Sequence, residues 1–266
     1  MPVLIVHIIA AVLYLAAGAL LLNKFKTLSS TRHRWLLATT GAAVFAHAIA
    51  SHQLIVGDQG LHLQLFPTLS LVFLAVNTIV LLSALKKPVH NLFILLIPLT
   101  VLALFGSLYL SGAGEVQPLT LGLASHILLA ITAYSLLTIA TLQAVFLTFQ
   151  IYRLKHKRAL PPVGVLPPLQ TMESLLFEML WAGQILLTAA IISGALFVSD
   201  LLAQHMVHKT VFTVLAWCIY GVLLWGRHFL GWRGYTAIRW TLVGFACLML
   251  AYFGSKLVLE FILKIG

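Results

Sequence analysis

Eight long apolar segments alternate with short polar connections along this chain. They fall near residues 2–23, 35–56, 65–85, 91–111, 120–152, 173–199, 210–230 and 236–263. Each approaches or exceeds the roughly 20 apolar residues that cross a hydrocarbon core of about 30 Å. Lipid offers no partner to unpaired backbone groups, so each segment must be helical. The fifth segment, at about 1.5 Å per residue, reaches roughly 50 Å, more than one crossing requires. Its end, Gln150 to Arg158, is therefore predicted to project into water.

The polar positions between the segments are unevenly charged. Lys24, Lys26, Arg32 and Arg34 fall in the first connection and Lys86 and Lys87 in the third. Arg153, Lys155, Lys157 and Arg158 fall in the fifth, and Arg227, Arg233 and Arg239 around the seventh. The second, fourth and sixth carry Asp58, Glu115, Asp200 and the basic Lys209. Positive charge is retained in the cytoplasm, so this alternation predicts that both termini are extracytoplasmic.

The longest connection, 159–171, holds Pro161-Pro162 and Pro167-Pro168 and reads as a stiff cytoplasmic linker. It separates a five-helix part, 1–158, from a three-helix part, 172–266, of one membrane domain, 1–266. Glu173 and Glu178 open the next helix, where the helix dipole favours anions. The expected fold is an all-α polytopic membrane bundle of about eight transmembrane helices.

Composition agrees with that pattern. The 266 residues are 61% hydrophobic and 8% charged, with a mean hydropathy of +1.06. A water-soluble globule cannot hide so much apolar surface, so lipid is the solvent. The formal charge of +10 gathers at helix ends, where it meets anionic headgroups; membrane lipid is the expected partner and nucleic acid is not. Residues 2–23 lack a basic leader and a small-residue cleavage site and read as a retained first span. The two cysteines, Cys218 and Cys247, lie inside spans. Without C-x-x-C or C-x-x-C-H, neither thiol exchange nor covalent c-type haem is expected.

Chemistry centres on the eleven histidines. His33, His90, His156 and His228 lie beside basic residues at cytoplasmic helix ends and read as solvated or headgroup-facing. His7, His47, His52, His62, His126, His205 and His208 fall in the outer half or the outer connections. Two of these are intramembrane by depth, His126 by roughly 10 Å and His47 by roughly 13 Å. Ionisable groups at such depth usually face a bundle interior. Each could simply hydrogen-bond a neighbouring helix. Alternatively, two neutral imidazoles on facing helices can ligate haem iron axially, and their similar depth allows this if the helices are neighbours.

His208, opening the seventh span, either caps a route to that site or is an ordinary helix-start residue beside Lys209. Lys256 and Glu260 stand i, i+4 on the last span and either snorkel to the interface or contact a haem propionate or ion path. No metalloprotease, nucleophile-elbow or phosphate-loop motif occurs in a credible context, and the carboxylates are too scattered for paired acid–base work. No catalytic residue is expected.

The stretch from His208 to Gly234, with Ala251-Tyr252-Phe253-Gly254 beyond it, resembles the end of the cytochrome c assembly family of CcsA, CcmC and HemX-like membrane proteins. Lys209, Trp217, Tyr220, Arg227 and the Gly231-Trp232-Arg233-Gly234 turn stand at that family's spacings. The segment from Pro167 through Ala195 resembles the preceding family helix. His126 with Ala133-Tyr134 resembles another. The likeness covers about 120–263 and points within the family to YpjD-type inner-membrane proteins.

The resemblance implies a bacterial inner-membrane, haem-handling protein with an accessory role in cytochrome c assembly. It also implies haem b as cofactor and other membrane proteins of cytochrome biogenesis or transport as partners. His126 would take the place of an outward-side haem-ligating histidine. The chain lacks the family's tryptophan-rich WWD segment, and Trp225 and Leu263 stand where other members carry further histidines. A second ligand must then come from elsewhere, with His47 the candidate. The same departures, with Lys256 and Glu260, admit another reading: a haem-free membrane subunit supporting or regulating an ion transporter.

Overall fold

The computed structural model describes residues 2–22, 30–57, 60–110, 116–117, 120–156, 166–197 and 204–257. Eight long helices account for most of them: α1 (Pro2–Leu22), α2 (Ser30–Ile55), α3 (Leu65–Ala84), α4 (Phe93–Tyr109), α5 (Leu121–Lys155), α6 (Leu169–Phe197), α7 (Gln204–Leu230) and α8 (Tyr235–Met249). A π-helical segment, Leu250–Gly254, and a final turn, α9 (Ser255–Leu257), continue α8. The fold is the expected all-α polytopic bundle. Among the described residues, seven helices are long and apolar enough to cross a membrane. The more polar α2 is not among them, since it carries Arg32, His33 and Arg34 and buries Thr40, His47 and Ser51.

The helices form two compact units, the first containing α1–α4 and the second α5–α8. The proline-rich stretch 159–165 lies outside the described residues.

In the first unit, α1 buries a stripe of His7, Ala10, Ala11, Tyr14, Ala17 and Leu21. Spacings of three, four and seven residues place these on one helical face, which packs on α2 and α4. Asn77 of α3, fully buried, donates from Nδ2 to Thr100 Oγ1 of α4 at 2.8 Å. Hydrogen bonds of this kind contribute about 0.6 kcal/mol between membrane helices.

A small antiparallel sheet was not anticipated from the sequence. Its strands are β1 (Val56–Gly57), β2 (Gly60–His62) and β3 (Val116–Gln117), with Leu61 opposite Val56 on one side and Gln117 on the other. The sheet ties the connection after α2 to the one after α4 at one end of the unit. At the starts of α2 and α4, the His33 and His90 rings meet edge to face, 6.2 Å apart. Alternate connections thus gather at opposite ends, as spans in series require.

In the second unit, α5 and α6 run antiparallel in close contact. A Cβ on Gly122 would lie 2.6 Å from Phe197, one on Gly183 2.7 Å from Leu137, and one on Gly194 3.0 Å from His126. Small residues let membrane helices approach this closely. The α7–α8 turn needs its glycines for conformation, since Gly231 and Gly234 have φ of 66° and 54°. Trp232 closes the turn by donating its backbone N–H to the Gly226 carbonyl and stacking on Trp240.

Candidate functional site

His126 lies near the start of α5, whose first turn is capped by the Thr120 side chain accepting from the Leu123 N–H. Across the α5–α6 contact, His126 Nδ1 lies 3.0 Å from the Ala190 carbonyl oxygen and 3.1 Å from Ser193 Oγ. Ser193 in turn donates its hydroxyl to the same carbonyl at 3.0 Å. A carbonyl can only accept, so Nδ1 carries the ring proton, and in the neutral imidazole Nε2 keeps its lone pair. Among the described residues, Nε2 has no hydrogen-bond partner. Histidines that bind metals are commonly set this way, one nitrogen donating to a carbonyl or carboxylate and the other facing the ion. Gly194 supplies the space in which the ring lies.

His47, on α2 in the other unit, is fully buried and held at both ring nitrogens. Tyr14 Oη lies 3.2 Å from Nδ1 and Ser70 Oγ lies 2.9 Å from Nε2. The line Tyr14–His47–Ser70 therefore crosses α1, α2 and α3, with the Tyr14 and His47 rings edge to face. His208 is exposed near the start of α7, and His126 makes its hydrogen bonds to α6 rather than to His208. Among the described residues, no three His, Cys, Asp or Glu side chains converge as a metal cluster. The Glu260 half of the Lys256–Glu260 pairing, and the side chain of Lys256, lie outside the described residues.

Three features have contacts that the sequence did not indicate. His7 donates from Nδ1 to the Val3 carbonyl at 2.8 Å and is 1% exposed, while its Nε2 has no partner. Glu173, with its side chain 7% exposed, accepts from Arg233 Nε and from the Gly234 N–H, and Arg227 lies 3.7 Å from its other side. Arg227 also rests on the Phe177 ring at 4.5 Å. This carboxylate thus ties α6 to the α7–α8 turn.

The third feature is the π-helical segment. Tyr134 of α5 donates to the Leu248 carbonyl at 2.8 Å, just before the ladder changes register. Tyr252 and Phe253 of that segment pack their rings against Tyr134. Such interruptions of an α-helix are frequent at functional sites.

Comparison with known proteins extends the likeness to nearly the whole chain. A family model described as Cytochrome C assembly protein matches residues 40–263, which begins well before residue 120 and takes in His47. Inner membrane protein YpjD of Escherichia coli K12 is 32% identical over 263 residues, 96% of this chain and 98% of the relative. The protein of that name from Escherichia coli O157:H7 has the same identity and coverage. An uncharacterized 28.8 kDa protein of Azospirillum brasilense is 31% identical over 140 residues, 52% of each chain. No solved structure matches.

Proposed function

The chain belongs to the cytochrome c assembly protein family, and from that membership we propose that it is a haem-handling accessory protein of cytochrome c biogenesis. It is a multi-pass inner-membrane protein, in keeping with its apolar helices and its relatives. The observation that carries the reading is the His126 ring, with Nδ1–H committed to Ala190 and no partner on Nε2 among the described residues.

The chemistry of the His126 imidazole supports haem b as the proposed cofactor. A neutral imidazole binds iron without releasing a proton, and an uncharged ligand avoids the penalty of placing a carboxylate or thiolate in lipid. His126 Nε2 would be the nitrogen offered to the iron, and a bound haem would supply the Lewis-acidic metal. The chain's own residues do the rest. Ala190 and Ser193 hold the tautomer and orientation of His126, and Gly194 leaves room for the ring. His47, in the other unit, is held at both ring nitrogens, so any ligation by it would require giving up Ser70 or Tyr14. His208, exposed near the start of α7, is proposed as a contact on the way in.

Deleting the gene and haem-staining the c-type cytochromes of the membrane fraction tests the role. A loss of c-type cytochromes, restored by the wild-type gene, is expected. Unchanged cytochromes, with a transport protein co-purifying, would support the haem-free transporter-subunit reading instead.

A further inference from the structure

The second unit leaves regular helix at Leu250–Gly254, and it does so beside two phenols in opposite states. Tyr134 of α5 donates to the Leu248 carbonyl at 2.8 Å, at the foot of the π-helical segment. Tyr220 of α7 is fully buried, and its hydroxyl has no partner. Its ring lies against Gly244, where a Cβ would stand 2.9 Å from the carbon that bears that hydroxyl. Gly244 and Leu248 are one turn apart on one face of α8. The satisfied donor and the unsatisfied one therefore address the same short stretch of ladder.

A side chain bonded to a neighbouring helix is not distinctive by itself. Gln143 donates to the Met172 carbonyl and Gln184 to that of Trp217, both within regular α-helix. Those amides each keep an unpartnered oxygen but already make one bond, whereas Tyr220 makes none. Tyr134 reaches the backbone just where the ladder changes, and a buried hydroxyl is costly to leave unpaired. Within the segment, the Ser255 hydroxyl lies 2.9 Å from the Ala251 carbonyl oxygen and 3.0 Å from that of Tyr252. The rings of Tyr252 and Phe253 close on Tyr134. All of these contacts belong to one register.

We propose that Leu250–Gly254 is a register switch in α8. In the state described here the segment is π-helical and Tyr134 holds the Leu248 carbonyl. In the other it is α-helical, and the Tyr220 hydroxyl takes the carbonyl that Tyr134 releases. The helix beyond Gly254 then turns by about 100°, one residue of register. Each state satisfies one phenol and orphans the other, so the two are matched in hydrogen bonds, as a two-state element requires. From its contact with Tyr134, α8 runs outward along α5 towards His126, eight residues further out on that helix. Turning its end changes which side faces the outer third of α5. The switch stands whatever His126 binds; under the haem-handling reading it governs approach to Nε2.

Spin labels at Ile192→Cys on α6 and Leu257→Cys at the end of α8, both exposed positions, read the turn. The sample is the full-length protein in detergent with Cys218 and Cys247 replaced by alanine. Turning a helix about 10–12 Å wide by 100° moves a surface group by about 8 Å. Double electron–electron resonance should therefore show two distances, separated by up to that amount. Tyr134→Phe should move the population to the second distance, and Tyr220→Phe should abolish the second distance. Deleting Gly254 removes the extra residue, so that variant should keep the first distance alone and make Tyr134→Phe silent. A purely structural tyrosine would not give these opposite shifts. A single distance, the same in wild type, Tyr134→Phe and Tyr220→Phe, would overturn the proposal. A pyridine haemochrome assay on the same samples separates the two readings, since a colourless protein that still switches would support the switch and count only against haem handling.

Discussion

His126 Nδ1 donates to the Ala190 carbonyl across the α5–α6 contact at 3.0 Å, and that single bond decides which ring nitrogen can act on a ligand. The contact depends on Gly194, whose Cα faces the imidazole. Replacing Gly194 with alanine would put a Cβ 3.0 Å from His126 Cε1, closer than such atoms normally approach. Gly194→Ala should lower stability by about 1–3 kcal/mol, the usual range for overpacking, and should weaken haem retention. Thermal unfolding in detergent beside a Soret titration checks both. Unchanged haem affinity with a well-folded variant would show that ring placement does not depend on this glycine.

The Glu173 carboxylate should matter out of proportion to its distance from His126. Glu173→Ala removes the acceptor for Arg233 and the Gly234 N–H, and leaves two guanidinium groups facing each other. Arg227 and Arg233 are 31% and 59% exposed, so solvent relieves part of that strain. A loss of about 1–3 kcal/mol is expected, with faster proteolysis at the α7–α8 turn. Limited proteolysis at Arg233 reads this directly, and a rate equal to wild type would exclude a clamp.

Tyr14→Phe deletes one hydrogen bond while keeping the ring. The expected cost is about 0.5–1.5 kcal/mol, with His47 still held by Ser70. Ser70→Ala should cost a similar amount and free the other nitrogen. If Tyr14→Phe and Ser70→Ala together cost the simple sum of the two single losses, Tyr14–His47–Ser70 is not a continuous network. A double-mutant cycle on apparent melting temperature gives the answer.

Orientation in the membrane is also open to direct measurement. Alkaline phosphatase fused in the connections near residues 58, 115 and 200 should be active, and fluorescent-protein fusions near 28, 88 and 160 should be bright. The reverse pattern would turn His126 and His47 towards the cytoplasm.

Much of the bundle was legible because lipid leaves the backbone one solution and writes it as hydropathy. Even the overlong fifth span appears, as the 35-residue helix α5. The small sheet was not legible, since strands of two or three residues leave too short a pattern. Glu173 was read as a favourable charge near a helix start, and nothing in one sequence shows that its partners lie 60 residues away. His7 was grouped by depth with other outer histidines. Its place on a buried stripe with Ala10, Ala11, Tyr14 and Ala17, and its orphaned nitrogen, are properties of packing. His126 and His47 were chosen by depth and, for His126, by its likeness to a family histidine. What distinguishes them, one free nitrogen against none, rests on Ala190, Tyr14 and Ser70, all distant in sequence.

The absorption spectrum of the wild-type protein, purified from haem-replete cells beside His126→Ala, tests the central claim most directly. The wild type should show a Soret band and the pyridine haemochrome of non-covalent b-type haem, and His126→Ala should lose it while keeping its helical content. A colourless wild type, or a variant retaining its full haem, would contradict the account.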